Sequence, residues 1–448
     1  MIHGNPSHTS SAHINISFPL VLAHEFPLVA NGEAGTVVSE DKIFFSCYGN
    51  PNTIYGVDLV TGDSLWSFEV PNSGGGNQFC PVVAHGVVLS GGQNGPGLYG
   101  LDVNTGEVLW LDTIGTLYDR SSAIYDSLVY VPSNQGLRCL DITTGILLWR
   151  SEYGTPQISP GVDSLHVYFN SYGTNGGVIY AMNRLNGDVV WSTEGVATGH
   201  SASYILDDSL LYHGYEDTIT VFNKVTGDIV WQTALDDNEM IYYKGMAALT
   251  DSFLITKTEI DTSSLNHYRV IERATGMTRN KYFTSPWRWS APVLFNNYLV
   301  ECGKNEICFR DMMTGDSVYG LNNLTFGNPP SQPIAAGDKI ILVGDGNHIN
   351  ILQSTPSGIQ SLATTVALQV FPNPVSDLVY LQFGLEEATN IVLNTLTLDG
   401  KLITQKDYGY FREGEHTLSY SLKGLASGVY ILNVKTDRGV LSKKVVVE

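Results

Sequence analysis

The sequence predicts an all-β protein: an eight-bladed β-propeller, seven-bladed if the last unit is not a true blade, followed by a small Ig-like β-sandwich. Three observations predict it. A turn motif with an acid before it and an aromatic ring after it recurs every 39 to 49 residues. Between its copies lie β-rich runs such as "GVVLSG", "DSLVYVPS" and "SLHVYFNS", bounded by Gly, Asp and Asn and showing no helical period. The period then stops, and alternating apolar residues with Pro and Gly breaks run to the C-terminus. A repeat near forty residues fits a four-stranded blade or a two-helix unit, and the strand chemistry selects blades. The divisions expected are a segment 1–29 with a ring-closing strand ("PLVLAHEF"), a propeller 30–365 and a sandwich 366–448.

Each motif position has a physical task. Gly62, Gly106, Gly145, Gly187 and Gly227, then Gly276, Gly315 and Gly358, supply the positive φ of a tight turn. Four residues earlier stand Asp58, Asp102, Asp141, Asn183, Asn223, Glu272, Asp311 and Ser354, most of them able to accept hydrogen bonds from turn amides. Four residues later come Trp66, Trp110, Trp149, Trp191 and Trp231, then Asn280, Tyr319 and Leu362. A large ring at one place in successive units fills the wedge between neighbouring sheets, and burying it contributes on the order of 2–4 kcal/mol without any ligand.

The bulk numbers exclude several classes. At 448 residues the chain exceeds one ordinary core. A formal charge of −20 repels nucleic acid and anionic headgroups, so neither is expected as a partner. No apolar run is long enough to span a bilayer. The first residues, "MIHGNPSHTSSAHINISFPL", show neither a basic n-region nor an apolar h-region, so no signal peptide is read there. Five scattered cysteines include no C-x-x-C. Cys302 and Cys308 flank a hairpin tip, "CGKNEIC", where they either pair or stay free thiols. "GDGNH" (344–348) lacks the following acids of a calcium loop and reads as a turn.

The unit "YGLDVNTGEVLW" resembles the repeat of pyrroloquinoline-quinone-type (PQQ-like) β-propellers over roughly residues 30–365. That resemblance implies one of two classes on one fold: quinoprotein dehydrogenases holding PQQ and calcium in the central funnel, or non-catalytic scaffolds. The dehydrogenases carry a vicinal cysteine pair, which this chain lacks. The expectation is therefore a binding or scaffolding module without a catalytic residue, metal or cofactor. PQQ and calcium belong to the alternative oxidoreductase reading, and a glycan-binding adhesin is the second alternative.

A ligand would meet the segments that enter the innermost strands, which differ among units: "GGGNQFCP", "TLYDRSSA", "GTPQISP", "ATGHSAS", "EMIYYKGMA" and "SPWRWSAP". They offer Gln78, Arg120, Gln157, His200, Tyr242, Tyr243, Lys244, Trp287, Arg288 and Trp289 as an aromatic, partly basic funnel mouth. Such chemistry suits a surface glycan, a protein segment or an anionic small molecule. The bland alternative is that Trp287 or Trp289 supplies the ring missing at Asn280.

The last eighty residues resemble the type A sorting domain of the type IX secretion system. Pro372, Asn373, Pro374 and Asp377 carry the match, with Gly400, Gly428, Tyr430 and the closing Lys444 with its valines. The resemblance implies the type IX machinery and its sortase as partners, and an extracellular or outer-surface location. Such export needs a signal peptide, so the sequence is expected to begin after its removal or downstream of a truncated start.

Overall fold

The computed structural model describes residues 11–12, 18–27, 33–47, 51–71, 80–91, 97–113, 122–153, 159–171, 177–194, 204–236, 239–260, 266–284, 293–327, 333–344, 348–354, 368–385, 388–397, 401–436 and 440–447. The side chains of 11, 12, 27, 33, 34, 242–247, 260, 284, 369, 415 and 440 lie outside that description. The chain divides into two compact units, Met1–Gln353 and Ser354–Glu448. Among the described residues every regular element is a strand.

The first unit forms eight sheets, counted among the described residues: 33–69, 82–112, 123–150, 161–194, 205–234, 239–284, 293–321 and 334–354. The first seven are antiparallel four-stranded meanders in chain order. The eighth draws three strands from its own stretch and its fourth, outer strand from Leu20–Pro27. The seventh gains a fifth strand, Ser11–Ala12, on its inner side. The first strands of neighbouring sheets lie against one another from the first sheet to the seventh, and Ile334–Ala336 of the eighth lies against Glu33–Ser39 of the first.

Packing closes the ring. Eight apolar clusters each join one sheet to the next, the first pair through Phe44, Ile54 and Trp66 against Val88, Tyr99 and Leu101. The sequence continues through the sixth and seventh sheets, with Ile255 and Tyr268 against Leu294 and Leu299. The last cluster packs Ile341, Val343 and Ile349 of the eighth sheet on Ile43 and Phe45 of the first. A closed ring leaves no sheet face uncovered, which removes the largest hazard of a β-only architecture.

The turn motif builds these joints. Asp58 Oδ1 accepts the amides of Val60 and Thr61 at 2.8 Å, and Asp102, Asp141, Asn183, Asn223 and Asp311 accept the equivalent pairs. Amide donation holds the Asp58 and Asp102 carboxyls below the usual carboxylate range. The indole N–H groups of Trp66, Trp110, Trp149, Trp191 and Trp231 donate to the carbonyls of Val103, Ile142, Arg184, Lys224 and Arg273, each in the following sheet. Each ring also covers the turn glycine of that sheet: Trp66 over Gly106, Trp110 over Gly145, Trp149 over Gly187, Trp191 over Gly227 and Trp231 over Gly276.

One position departs from the expected register. Asn280 does not leave its joint without a ring, because Tyr282, two residues on, covers Gly315 and donates its hydroxyl to Met312 O at 3.1 Å. Side chains two apart on a strand share a face, so the ring moved along the strand without changing sides. At the eighth sheet Leu362 and Gly358 lie outside the described residues. Phe26 of the Leu20–Pro27 strand covers Gly62, because the outer strand there comes from the N-terminal segment.

The second unit places seven strands in two sheets, counted among the described residues. One holds Gln369–Phe371, Leu378–Leu385 and Gly414–Ser421; the other holds Thr389–Thr397, Leu402–Phe411, Gly428–Lys435 and Val440–Val447. They share one core that includes Val379, Leu381, Phe383, Ile391, Leu393, Leu432 and Val434.

Candidate functional site: the loop face of the ring

The ten residues expected at the funnel mouth cannot be read as a constellation. Gln78, Arg120, Gln157, His200, Trp287, Arg288 and Trp289 lie outside the described residues. Tyr242, Tyr243 and Lys244 sit within the strand Glu239–Leu249, but their side chains are outside the description. What the structure does show is the ground on which those segments stand.

Each inner strand starts, and each second strand ends, on the face where these segments attach. That end of the sheets carries buried polar groups, whereas the opposite end carries the Asp–Gly turns. Ser90, Ser122, Asn170, Tyr204, His213, Lys257, Asn266 and Glu301 are all buried there. The sequence signal was present, in strands such as "LLYHGY", "FLITKTEI" and "YLVECG", where an apolar run gives way to polar residues at its loop-face end. It went unread because solvent exposure explains a polar residue on a strand as readily as burial does.

Three ionic nodes anchor this face. Between the second and third sheets, Arg138 Nη2 meets Asp112 Oδ2 at 2.6 Å, with both side chains buried. In the sixth sheet Glu239, 3% exposed, gathers several partners at the head of its strand. Thr258 Oγ1 donates to it at 2.5 Å, Arg269 Nε at 3.1 Å and Lys281 Nζ at 3.0 Å, and His267 Nδ1 lies 3.4 Å away. Burial pushes the Glu239 carboxyl up, but donation from Arg269, Thr258 and Lys281 outweighs it and holds the group below the usual range. Burial lowers the His267 imidazole, which therefore stays neutral at pH 7. Between the sixth and seventh sheets, burial brings the Lys257 ammonium down to about 8 against the opposing pull of Glu301 and Glu259. Glu301 in turn accepts from Arg310 Nε at 2.6 Å.

The Glu239 node adjoins two of these segments in the chain. Glu239 stands three residues before Tyr242, and Lys281 four residues before the 285–292 stretch that contains Trp287 and Trp289. A carboxylate with this many charge-assisted donors is a rigid foot for the chain on both sides.

No donor set for a metal assembles here: among the described residues no three of His, Cys, Asp and Glu converge on one point. Cys139, Cys302 and Cys308 are free thiols. Cys302 lies opposite Ile307 and Cys308 opposite Glu301, an offset of one that points the two thiols to opposite faces of the sheet. No chemical step is derived through calcium or a quinone.

In the second unit the C-terminal residues are tied down by the Pro-Asn-Pro stretch. Asn373 Nδ2 donates to Lys444 O at 3.0 Å, and Asn373 Oδ1 accepts from Val446 N at 2.8 Å. Val375 N donates to Val446 O at 2.8 Å. Asp377 Oδ1 accepts from Ser421 Oγ at 2.7 Å, and Tyr430 OH donates to Ala426 O at 2.8 Å. Gly428 pairs with Val447, and Lys444 with Ile431. Pro372 and Pro374 are exposed on either side of Asn373, while Gly400 lies outside the described residues.

Comparison with known proteins agrees with both units. Residues 23–159 and 133–355 match the family described as the outer membrane protein assembly factor BamB. Residues 369–448 match the secretion system C-terminal sorting domain. Among solved structures, BamB from Moraxella catarrhalis is 17% identical with a TM-score of 0.58, covering 75% of this chain and 100% of that one. The quinohemoprotein alcohol dehydrogenase from Comamonas testosteroni is 12% identical with a TM-score of 0.64, covering 84% and 82%. At such identities the likeness concerns the fold. A search of the curated proteins finds no match. No helix among the described residues is long and apolar enough to cross a membrane.

Proposed function

We propose, from the premise that this chain belongs to the repeat-propeller family described as the outer membrane protein assembly factor BamB, that it is a non-catalytic binding or scaffolding propeller. The C-terminal sorting domain marks the chain for type IX export to the surface or the extracellular space. The partner on this reading is a surface glycan or protein segment, bound at the loop face.

One observation carries the reading: Tyr282 already fills the joint over Gly315. Trp287 and Trp289 are therefore not needed as the missing inter-sheet ring, and two tryptophans flanking Arg288 are left for another task. Aromatic rings beside a guanidinium suit stacking on a sugar or a peptide and hydrogen bonding to its carboxylates or carbonyls. The Glu239 node, which holds Lys281 four residues before the 285–292 stretch, supplies the rigid support that a binding loop requires.

The test is a glycan array probed with the purified chain and with the Trp287→Ala and Arg288→Ala variants, alongside a tryptophan-fluorescence titration with pyrroloquinoline quinone with and without calcium. Array binding that both variants lose while keeping their circular dichroism supports the reading. Variants that retain every interaction overturn the assignment of the loop. Saturable quenching by the quinone that calcium strengthens, and that Trp287→Ala abolishes, overturns the non-catalytic reading in favour of an oxidoreductase.

A further inference from the structure

We infer that the inner edge of the seventh sheet is a strand-addition site for an extended peptide, and that the chain's own N-terminal segment is its intramolecular occupant. This goes beyond the loop-face reading and rests on different residues. Ser11–Ala12 pairs in parallel with Val293–Phe295, Ser11 opposite Leu294 and Ala12 opposite Phe295. Among the described residues, the seventh is the sheet of this ring that extends to a fifth strand. A sheet edge offers a row of backbone donors and acceptors, and pairing it is the ordinary means of capturing an extended segment.

Three observations support a built site rather than a chance contact. First, inner strands of neighbouring sheets abut throughout the ring, but Val293–Phe295 and Ile334–Ala336 approach each other least closely. The extra strand is thus found beside the one joint where the inner wall is loosest. Second, Leu294 and Phe295 are each 1% exposed and point into the clusters on either side of the sheet. Recognition there falls to the backbone. Third, the segment is anchored downstream on the same sheet. The Phe18 ring packs on Tyr298, Phe309 and Tyr319 at centroid distances of 5.2, 5.1 and 4.5 Å. Tyr319 OH donates to Leu20 O at 2.8 Å and accepts from Leu20 N at 3.0 Å. Six residues from Ala12 to Phe18 reach roughly 20 Å, enough to cross a sheet whose strands lie about 4.8 Å apart.

A tether this short gives its segment an effective concentration in the millimolar range, so a free peptide competes only when the resident strand is removed. The experiment uses the full chain carrying Ser11→Pro and Ala12→Pro, which removes both amide donors. A fluorescein-labelled peptide with the sequence of residues 7–16 is titrated against it and followed by anisotropy. Saturable binding is expected, at least tenfold tighter than to the unaltered chain, and abolished when the peptide carries the same two prolines. Equal binding to both chains, binding of the proline peptide, or no binding up to roughly 1 mM overturns the site. In the unaltered chain, hydrogen exchange at Ser11 and Ala12 as fast as in an unstructured peptide overturns it as well, whether or not the double variant folds. None of these outcomes depends on Trp287 or on any loop-face ligand.

Discussion

Gly145 serves the fold twice. Its φ of +71° is one that L side chains rarely adopt, and a Cβ there would stand 2.5 Å from the Trp110 ring. Either fact alone explains a glycine; together they make the residue hard to replace. Gly145→Ala is expected to destabilise the ring by about 2–4 kcal/mol, combining left-handed strain with overpacking. Gly86 separates the two terms, since its φ is +77° but a Cβ would meet nothing within 4 Å. Gly86→Ala should cost only about 1–2 kcal/mol, and urea denaturation of the two variants side by side checks the difference. Equal losses would refute the ring contact as a cause. The sixth joint gives a second residue-level prediction. Tyr282→Ala should lose about 3 kcal/mol or more, while Asn280→Ala, which gives up a hydrogen bond to Met313 O, should lose about 1 kcal/mol. The reverse order in denaturation midpoints would make Asn280, not Tyr282, the residue that holds the joint.

At the scale of an element, neighbouring sheets are latched by ion pairs as well as by rings. At three of the five tryptophan joints the residue whose carbonyl receives the indole N–H also reaches back with its side chain to an aspartate of the preceding sheet. Arg184 meets Asp126 at 2.8 Å and Lys224 meets Asp163 at 2.9 Å, and Arg273 pairs with Asp207. Asp163 and Asp207 also accept turn amides, from Leu165 and His166 and from Ser209 and Leu210. Burial raises both carboxyls, yet the amide donors and the cations outweigh it and leave each below its ordinary value. A depressed carboxyl stabilises the fold above its unfolded value near 3.9, and that contribution is lost as pH falls through the lower folded value. Stability should therefore drop from about pH 5 downward. The Asp163→Asn, Asp207→Asn double variant should be weaker at pH 7 and lose less between pH 5 and 3. Parallel pH profiles in urea titrations would show that the latches carry no load.

For the whole molecule the decisive feature is that the ring is closed by residues from its opposite ends. Leu20–Pro27 completes the eighth sheet, and Phe26 covers Gly62 of the first. Phe26→Ala should cost about 3 kcal/mol or more. A chain lacking residues 1–27 should expose the His348–Ser354 edge and self-associate, as unpaired edges do; a monomer in sedimentation velocity would count against that. The second unit is a separate body with its own core. Its charge differs too, with nine acids and eight bases from Gln369 to Glu448 in a chain whose net charge is −20. The acidity thus belongs almost wholly to the ring.

Local chemistry was legible in the sequence. Aspartate, threonine and glycine at fixed offsets dictate a turn whatever surrounds them, and a tryptophan four residues on dictates a wedge-filling ring, so the repeat and its strands followed from residues alone. The Pro-Asn-Pro stretch and the closing valines likewise carried the sorting domain. Tertiary structure decided what depends on partners distant in the chain. It put Tyr282 into the joint where Asn280 left a ring missing, because a joint selects any ring on the correct face, and it brought Phe26 of the expected ring-closing strand over Gly62. It separated Cys302 from Cys308 by the pleat, and it buried Glu239, Arg138 and Lys257 in pairs that no spacing announces. The physical reason is one of range: turn hydrogen bonds span four residues, whereas burial and closure are set by sheets that meet only after the chain has gone round.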